Sequence, residues 1–160
     1  MARQDEEFWM LKIAGYYESD INTRITAINT EKGNDADMKT LASNAFYYGS
    51  EFASFPVHDP FIVFDLDING ETGQEQVTSG LISQATMLIH LVYSDTNKTG
   101  VIPIKLKSRY KRALYEVVLN RHNELNHINY DVVGSVFDSF DNNNKFYSYV
   151  TIGLEYQIAY

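Results

Sequence analysis

The chain has 160 residues, 44% of them hydrophobic and 21% charged, the composition of a soluble globular protein long enough for one core without disulfides or metals. Its formal charge of −8 argues against nucleic-acid affinity, because a DNA-binding protein gains most of that affinity by neutralising phosphates with Lys and Arg. The absence of cysteine excludes disulfide and thiolate chemistry and fits a reducing compartment.

The opening MARQDEEFW is charged and lacks the apolar stretch of a secretory signal, so a cytosolic product, or a particle assembled in the cytosol, is expected. Residues 5–29 read as a helix, with Asp5 as cap and Glu6 and Glu7 near the positive end of the dipole. Phe8, Leu11, Ala14, Tyr17, Ile21, Ile25 and Ile28 recur at three- and four-residue spacing and predict one apolar stripe. Thr26, Thr30 and the polar run Glu31–Asp37, with Gly33, close it. In Met38–Pro60 the pattern gives a short helix near Leu41–Tyr48, then the irregular FASFPVHDP, whose prolines oppose both helix and central strand.

Residues 61–68 predict a strand with Ile62, Phe64, Leu66 and Ile68 on one face and Phe61, Val63, Asp65 and Asp67 on the other. Asn69-Gly70 then predicts a tight hairpin turn, and Glu71–Gly80 a polar loop or the return arm of a mobile hairpin. Leu81–Tyr93 carries two patterns: a helical stripe through Leu81, Ile82, Ala85, Leu88, Ile89 and Val92, and a run of strand formers. The strand, over residues 86–93, is the one adopted, and its length rules out a membrane span. Asn97-Lys98-Thr99 matches a glycosylation sequon that is inert without secretion.

A second helix is expected over residues 104–121, burying Leu106, Tyr110, Leu114, Val117 and Val118. Its basic residues Lys105, Lys107, Arg109, Lys111 and Arg112 spread over several faces and predict a solvated surface. Strands follow over residues 130–137 and 146–159, joined by the turn DSFDNNN. In the last, Val150, Ile152, Leu154, Tyr156 and Ile158 alternate with Tyr149, Thr151, Gly153, Glu155 and Gln157, the pattern of a half-buried antiparallel strand. Helix, strands, helix, strands describe one α+β domain over residues 1–160, with a single mainly antiparallel sheet packed against the N-terminal helix and the second, amphipathic helix.

Chemical motifs are weak. Asp65-Leu66-Asp67-Ile68-Asn69-Gly70 matches the first half of a calcium loop, but its twelfth position is Gln76 and its flank alternates like a strand. His122-Asn123-Glu124-Leu125-Asn126-His127 resembles a zinc-protease motif, yet its histidines are five apart where the chemistry needs four. There is no GxSxG, no GxGxxG and no P-loop. No catalytic residue, metal ligand or cofactor is therefore expected.

The aromatic share of 14%, with 12 Tyr, is high. Tyrosine pairs an apolar ring with a polar tip and suits surfaces buried on association, or cross-strand packing in a β-rich fold. The closing block FYSYVTIGLEYQIAY concentrates it, and the face with Tyr147 and Tyr149 is the candidate subunit interface, opposite the face that holds the fold. Ser at either position is expected to leave a folded but assembly-deficient subunit.

The order of elements is similar to that of one family. A long N-terminal helix precedes the aromatic-proline segment FASFPVHDPFIVFDL, then LIHLVYSD, the basic helix IKLKSRYKRALYEVVL, and the strands INYDVVGSVFDSF and YSYVTIGLEYQIAY. The chain thereby resembles the tail terminator, or tail-completion, proteins of long-tailed bacteriophages. The resemblance implies an α+β subunit that closes into a homo-oligomeric ring, usually a hexamer, capping the tail tube and docking to the head connector or stopper protein. It implies a place in the virion neck after assembly in the host cytoplasm, with DNA passing through the ring unbound. It supplies no catalytic residues. The Met38–Pro60 insert and the long connection Glu71–Gly80 depart from the family pattern. Two alternatives stand beside it: another connector, neck or tail-tube subunit, and a small enzyme or metal-binding regulator using Asp65, Asp67 and a histidine.

Overall fold

In the computed structural model, which describes residues 5–49, 58–72, 82–95, 100–125, 129–142 and 145–159, Asp5 caps the first helix, α1 (Glu6–Glu31). Its carboxylate accepts the Phe8 N–H at 3.1 Å, supplying a partner to one of the first-turn amides that a helix leaves open. The helix ends at Glu31, with Gly33 (φ 71°) and Asn34 (φ 54°) both left-handed, a conformation glycine and asparagine tolerate best. Ala14, Tyr17, Ile21, Ile25 and Ile28 are buried as expected, but Leu11 is 50% exposed. Trp9, Ile13 and Tyr16 are buried in the same stretch, so the apolar stripe is rotated in the first half of α1. Tyr17 there meets both the second helix and the sheet, Tyr16 meets Arg121 just past that helix, and one seven-residue stripe does not describe a helix touching two neighbours.

After α1 the chain returns along it. Asn29 grips Met38 through both of its amide atoms (Oδ1 from Met38 N–H and Nδ2 to its C=O, 2.9 Å each), and Asn22 does the same to Leu41 at 2.7 and 2.8 Å. Seven residues apart, these amides stand on one helix face and act as a strand edge for the returning backbone. The helix expected near Leu41–Tyr48 is replaced by this anchored segment and a short strand, β1 (Phe46–Tyr48).

The remaining elements are β2 (Phe61–Thr72), β3 (Ile82–Ser94), α2 (Val101–Leu119), a 3₁₀ turn (His122–Leu125), β4 (Asn129–Asn142) and β5 (Lys145–Ala159). Together the strands form one five-stranded sheet of order β1-β2-β3-β5-β4, antiparallel except for β1 beside β2. The fold is α+β. Asn69-Gly70 is not a hairpin turn: β2 continues to Thr72, paired with Ile82, and the register merely skips one residue between Ile68 and Gly70. The β3 ladder running past Gly70 overrides the local turn preference, and a bulge absorbs the dipeptide. Of the expected loop Glu71–Gly80, Glu71 and Thr72 belong to β2 and the rest lies outside the described residues. The turn DSFDNNN shrinks likewise, since β4 reaches Asn142 and Asn142 pairs with Lys145.

Both helices lie on one face of the sheet, antiparallel to each other. Arg121 bonds Asp20 at 2.8 Å while Arg112 bonds Glu31 at 2.7 Å, so α2 ascends as α1 descends. Ile62, Phe64, Met87, Ile89, Leu91, Val150, Ile152 and Leu154 are buried beneath them in a single core. Tyr17 reaches across, its hydroxyl donating to Leu114 O at 2.9 Å and its ring 5.9 Å from that of Phe64. On α2, Tyr110, Leu114, Val117 and Val118 are buried as expected and Leu106 is partly so.

The basic residues of α2 are not simply solvated. Arg109 is buried, donating to Ala36 O at 2.7 Å and to Asp35 at 2.6 Å. Lys105 reaches the other oxygen of Asp35 at 2.7 Å, and Arg112 forks onto Glu31 while also bonding Glu116. The helix is basic because α1 and the turn after it present carboxylates, and the seam between the helices carries both signs.

Candidate functional site

β5 is flanked on both sides by other strands, and this decides the position of the residues expected at an interface. Tyr147 is 9% exposed and belongs to the core, and Tyr149 is half-buried and packed against it. Thr151 and Gly153 on the same side are buried too. Both lie on the face opposite the helices, as expected, but the expectation of an exposed Tyr147 is corrected: alternation predicts one dry face only when the second faces water, and here much of the second is covered. Near its start β2 shows the same, with Phe61 and Val63 buried on the side away from the helices and Tyr47 of β1 edge-on to Phe61 at 5.9 Å.

On that helix-free side the strands bring together a group that lies scattered in the sequence. The register sets Val63 opposite His90 and His90 opposite Thr151, and His90 Nδ1 lies 2.7 Å from Thr151 Oγ1. Asp65, two residues along β2, is close enough to favour the charged imidazole, but burial outweighs it and holds the His90 pKa below the ordinary histidine range. Of the three residues named by the metal or enzyme alternative, Asp65 and His90 lie on neighbouring strands, while the side chain of Asp67 lies outside the described residues. No spacing signal could have located His90 and Thr151, 61 residues apart, before the pairing of β3 with β5 was known. Among the described residues no three His, Asp or Glu side chains come together as a metal would need.

A consequence is testable. Because folding lowers the His90 pKa, the unfolded chain takes up a proton that the native state excludes, so stability falls as pH drops from about 7 to 5. His90→Gln, which keeps a hydrogen-bonding side chain, is expected to flatten this slope in urea unfolding midpoints. An unchanged slope would assign the acid sensitivity elsewhere. Asp35 is separable: Lys105 and then Arg109 pull its carboxyl to about 2, so its contribution is present above the ordinary carboxylate range and lost only in stronger acid.

The remaining histidines serve local structure. His58 Nδ1 lies 2.5 Å from the Tyr47 hydroxyl. Asp59, ahead of a cis bond to Pro60, accepts the Ser94 N–H at 2.9 Å and the Ser94 hydroxyl, tying the start of β2 to the end of β3. His122 Nδ1 lies 2.9 Å from Leu119 O at the end of α2, while His127, the other half of the zinc-like motif, lies outside the described residues.

Large apolar side chains left in water mark a different kind of site. Val101 (63% exposed), Ile102 and Ile104 (69%) crowd the first turn of α2, which begins after Gly100 (φ 97°) with no side-chain cap and no acidic residue. Leu11 on α1, Tyr48 on β1 and Leu119 near the other end of α2 are the other large apolar residues exposed among those described. Neither protein-family models nor curated protein sequences give a match to this chain. No helix among the described residues is long and apolar enough to cross a membrane. The surface itself is what points to a role.

Proposed function

We propose that this chain is a non-catalytic structural subunit that assembles into a ring, and that the ring ends the tail tube of a long-tailed bacteriophage and joins it to the head connector or stopper protein. The observation that carries assembly is the apolar start of α2. Three aliphatic side chains within one helical turn, Val101, Ile102 and Ile104, stand in water at one end of the helical layer, and large apolar side chains exposed together mark contact with another protein. The kind of assembly rests on the resemblance in element order, in which the ring is usually a hexamer in the virion neck. Another connector, neck or tail-tube subunit would use the same surface.

The charge distribution favours a DNA passage. From Thr40 to Asn97, which includes β2 and β3, the sequence contains no Lys or Arg, while Asp65, Asp67 and Asp95 lie within it. A subunit with a formal charge of −8 would repel phosphates and let DNA slide without adhering.

Light scattering of the purified chain over a range of concentrations tests the reading. Wild type is expected to reach a closed, fixed stoichiometry, and Ile104→Asp to need a higher concentration to do so, with an unchanged circular dichroism spectrum. A wild-type monomer at every concentration counts against the ring. If divalent metal also stabilised that monomer, the alternative of a small enzyme or metal-binding regulator using Asp65, Asp67 and a histidine would be the better reading.

A further inference from the structure

We infer that the apolar start of α2 in one subunit docks on the outer face of α1 in the next, at Leu11, Gly15 and Glu18, so that the copies join head to tail. The inference rests on the ring reading and names its contact. Leu11, Gly15 and Glu18 succeed one another at four- and three-residue spacing on one side of α1, and all three are exposed. A Cβ built at Gly15 would meet nothing within 4 Å, so the position is an open notch one turn from the half-exposed Leu11. Tyr48, itself half exposed, donates its hydroxyl to Glu18 Oε1 at 2.9 Å and adds an aromatic ring beside that carboxylate.

The two surfaces match in chemistry. One is aliphatic, at the positive end of a helix dipole with no acid in its first turn; the other is apolar and carries the carboxylate of Glu18. They are also far apart within one subunit. Antiparallel packing puts the start of α2 beyond the end of α1, whereas Leu11 sits near the beginning of α1, a separation on the order of 40 Å at the helical rise per residue. Distant patches cannot satisfy each other within one copy. Used between copies they make a heterologous contact, which closes into a ring when the rotation between neighbours allows it.

Leu11→Asp and Ile104→Asp test this in the full chain, by light scattering and analytical ultracentrifugation. Each exchange is at an exposed position, so the thermal unfolding midpoint is expected to stay within a few degrees of wild type. Each alone is expected to raise the concentration needed for assembly about tenfold or more. The decisive sample is an equimolar mixture of the two variants. One keeps only the α2 surface and the other only the α1 surface, so together they should form 1:1 dimers and stop. Two isolated monomers in the mixture would overturn the contact, as would a Leu11→Asp chain that assembles like wild type while the ring reading stands. A wild-type chain that never assembles would remove the ring reading itself.

Discussion

Removal of Leu154–Tyr160 is expected to leave a chain with no cooperative unfolding transition. β5 is an interior strand, and the pairs from Leu154 to Ala159 hold the half of β3 from Met87 back to Ile82. Of these, Leu154–Gln157 also pair with Asn129–Val132 of β4. Truncation therefore strips backbone partners from two strands at once and exposes core beneath Leu154, which is fully buried. Burial of one leucine side chain is worth about 2 kcal/mol, and the lost ladder bonds and packing add to it, against a total stability on the order of 10 kcal/mol. Near-ultraviolet circular dichroism and thermal melts would show the result. A sigmoidal melt within a few degrees of the full-length chain would mean that the end of β5 adds little to the sheet.

Tyr110→Ala is expected to cost about 3–5 kcal/mol in urea unfolding, and Tyr110→Phe about 1 kcal/mol. Tyr110 is 2% exposed, its ring lies 4.4 Å from that of Tyr93 on β3, and its hydroxyl accepts the Lys39 N–H at 2.9 Å. It is thus the point where α2, the sheet and the segment returning from α1 meet. Alanine empties that space, whereas phenylalanine fills it and removes only the hydroxyl that accepts from Lys39 N–H and donates, at 3.4 Å, to Lys39 O. Equal losses from the two variants would place the stabilisation in the hydroxyl rather than in the ring.

Local patterns proved legible where one neighbour decides burial. The capping role of Asp5 and the inward-facing Tyr110, Leu114, Val117 and Val118 were readable because a helix end and a helix face are set by residues three or four apart. The strand over residues 86–93 was readable despite its competing helical stripe, and it extends to Ile82–Ser94 because β2 and β5 continue its ladder on both sides. Asn22 and Asn29 carried no readable signal, since an asparagine within a helix is ordinarily a surface residue, and their role depends on a segment that returns to them from Met38 and Leu41. Arg109 was misread for the same reason: its carboxylate and carbonyl partners, Asp35 and Ala36, belong to the turn after α1.

The candidate surface was legible in kind but not in place. Abundant tyrosine pointed to association, yet Tyr147 is buried and Tyr149 half-buried within the subunit, and among the described residues the exposed large apolar side chains are aliphatic except for Tyr48. Val101 and Ile102 lie ahead of the helix expected over residues 104–121, and Ile104 at its first position. They stand in water because α2 starts three residues earlier than its periodicity indicated, ahead of the point where the core begins to cover it.

By itself, then, the sequence determined the α+β class, the two helices, the four long strands but not β1, and the acidic balance, all of which follow from composition or from the period of neighbouring residues. Only the tertiary structure decided which strand lies inside the sheet, that Asp65, His90 and Thr151 share one place, and that two apolar surfaces occupy opposite ends of the helical layer. Those facts depend on strand order and helix direction. They are set by the summed packing of contacts distant along the chain, and no local pattern encodes them.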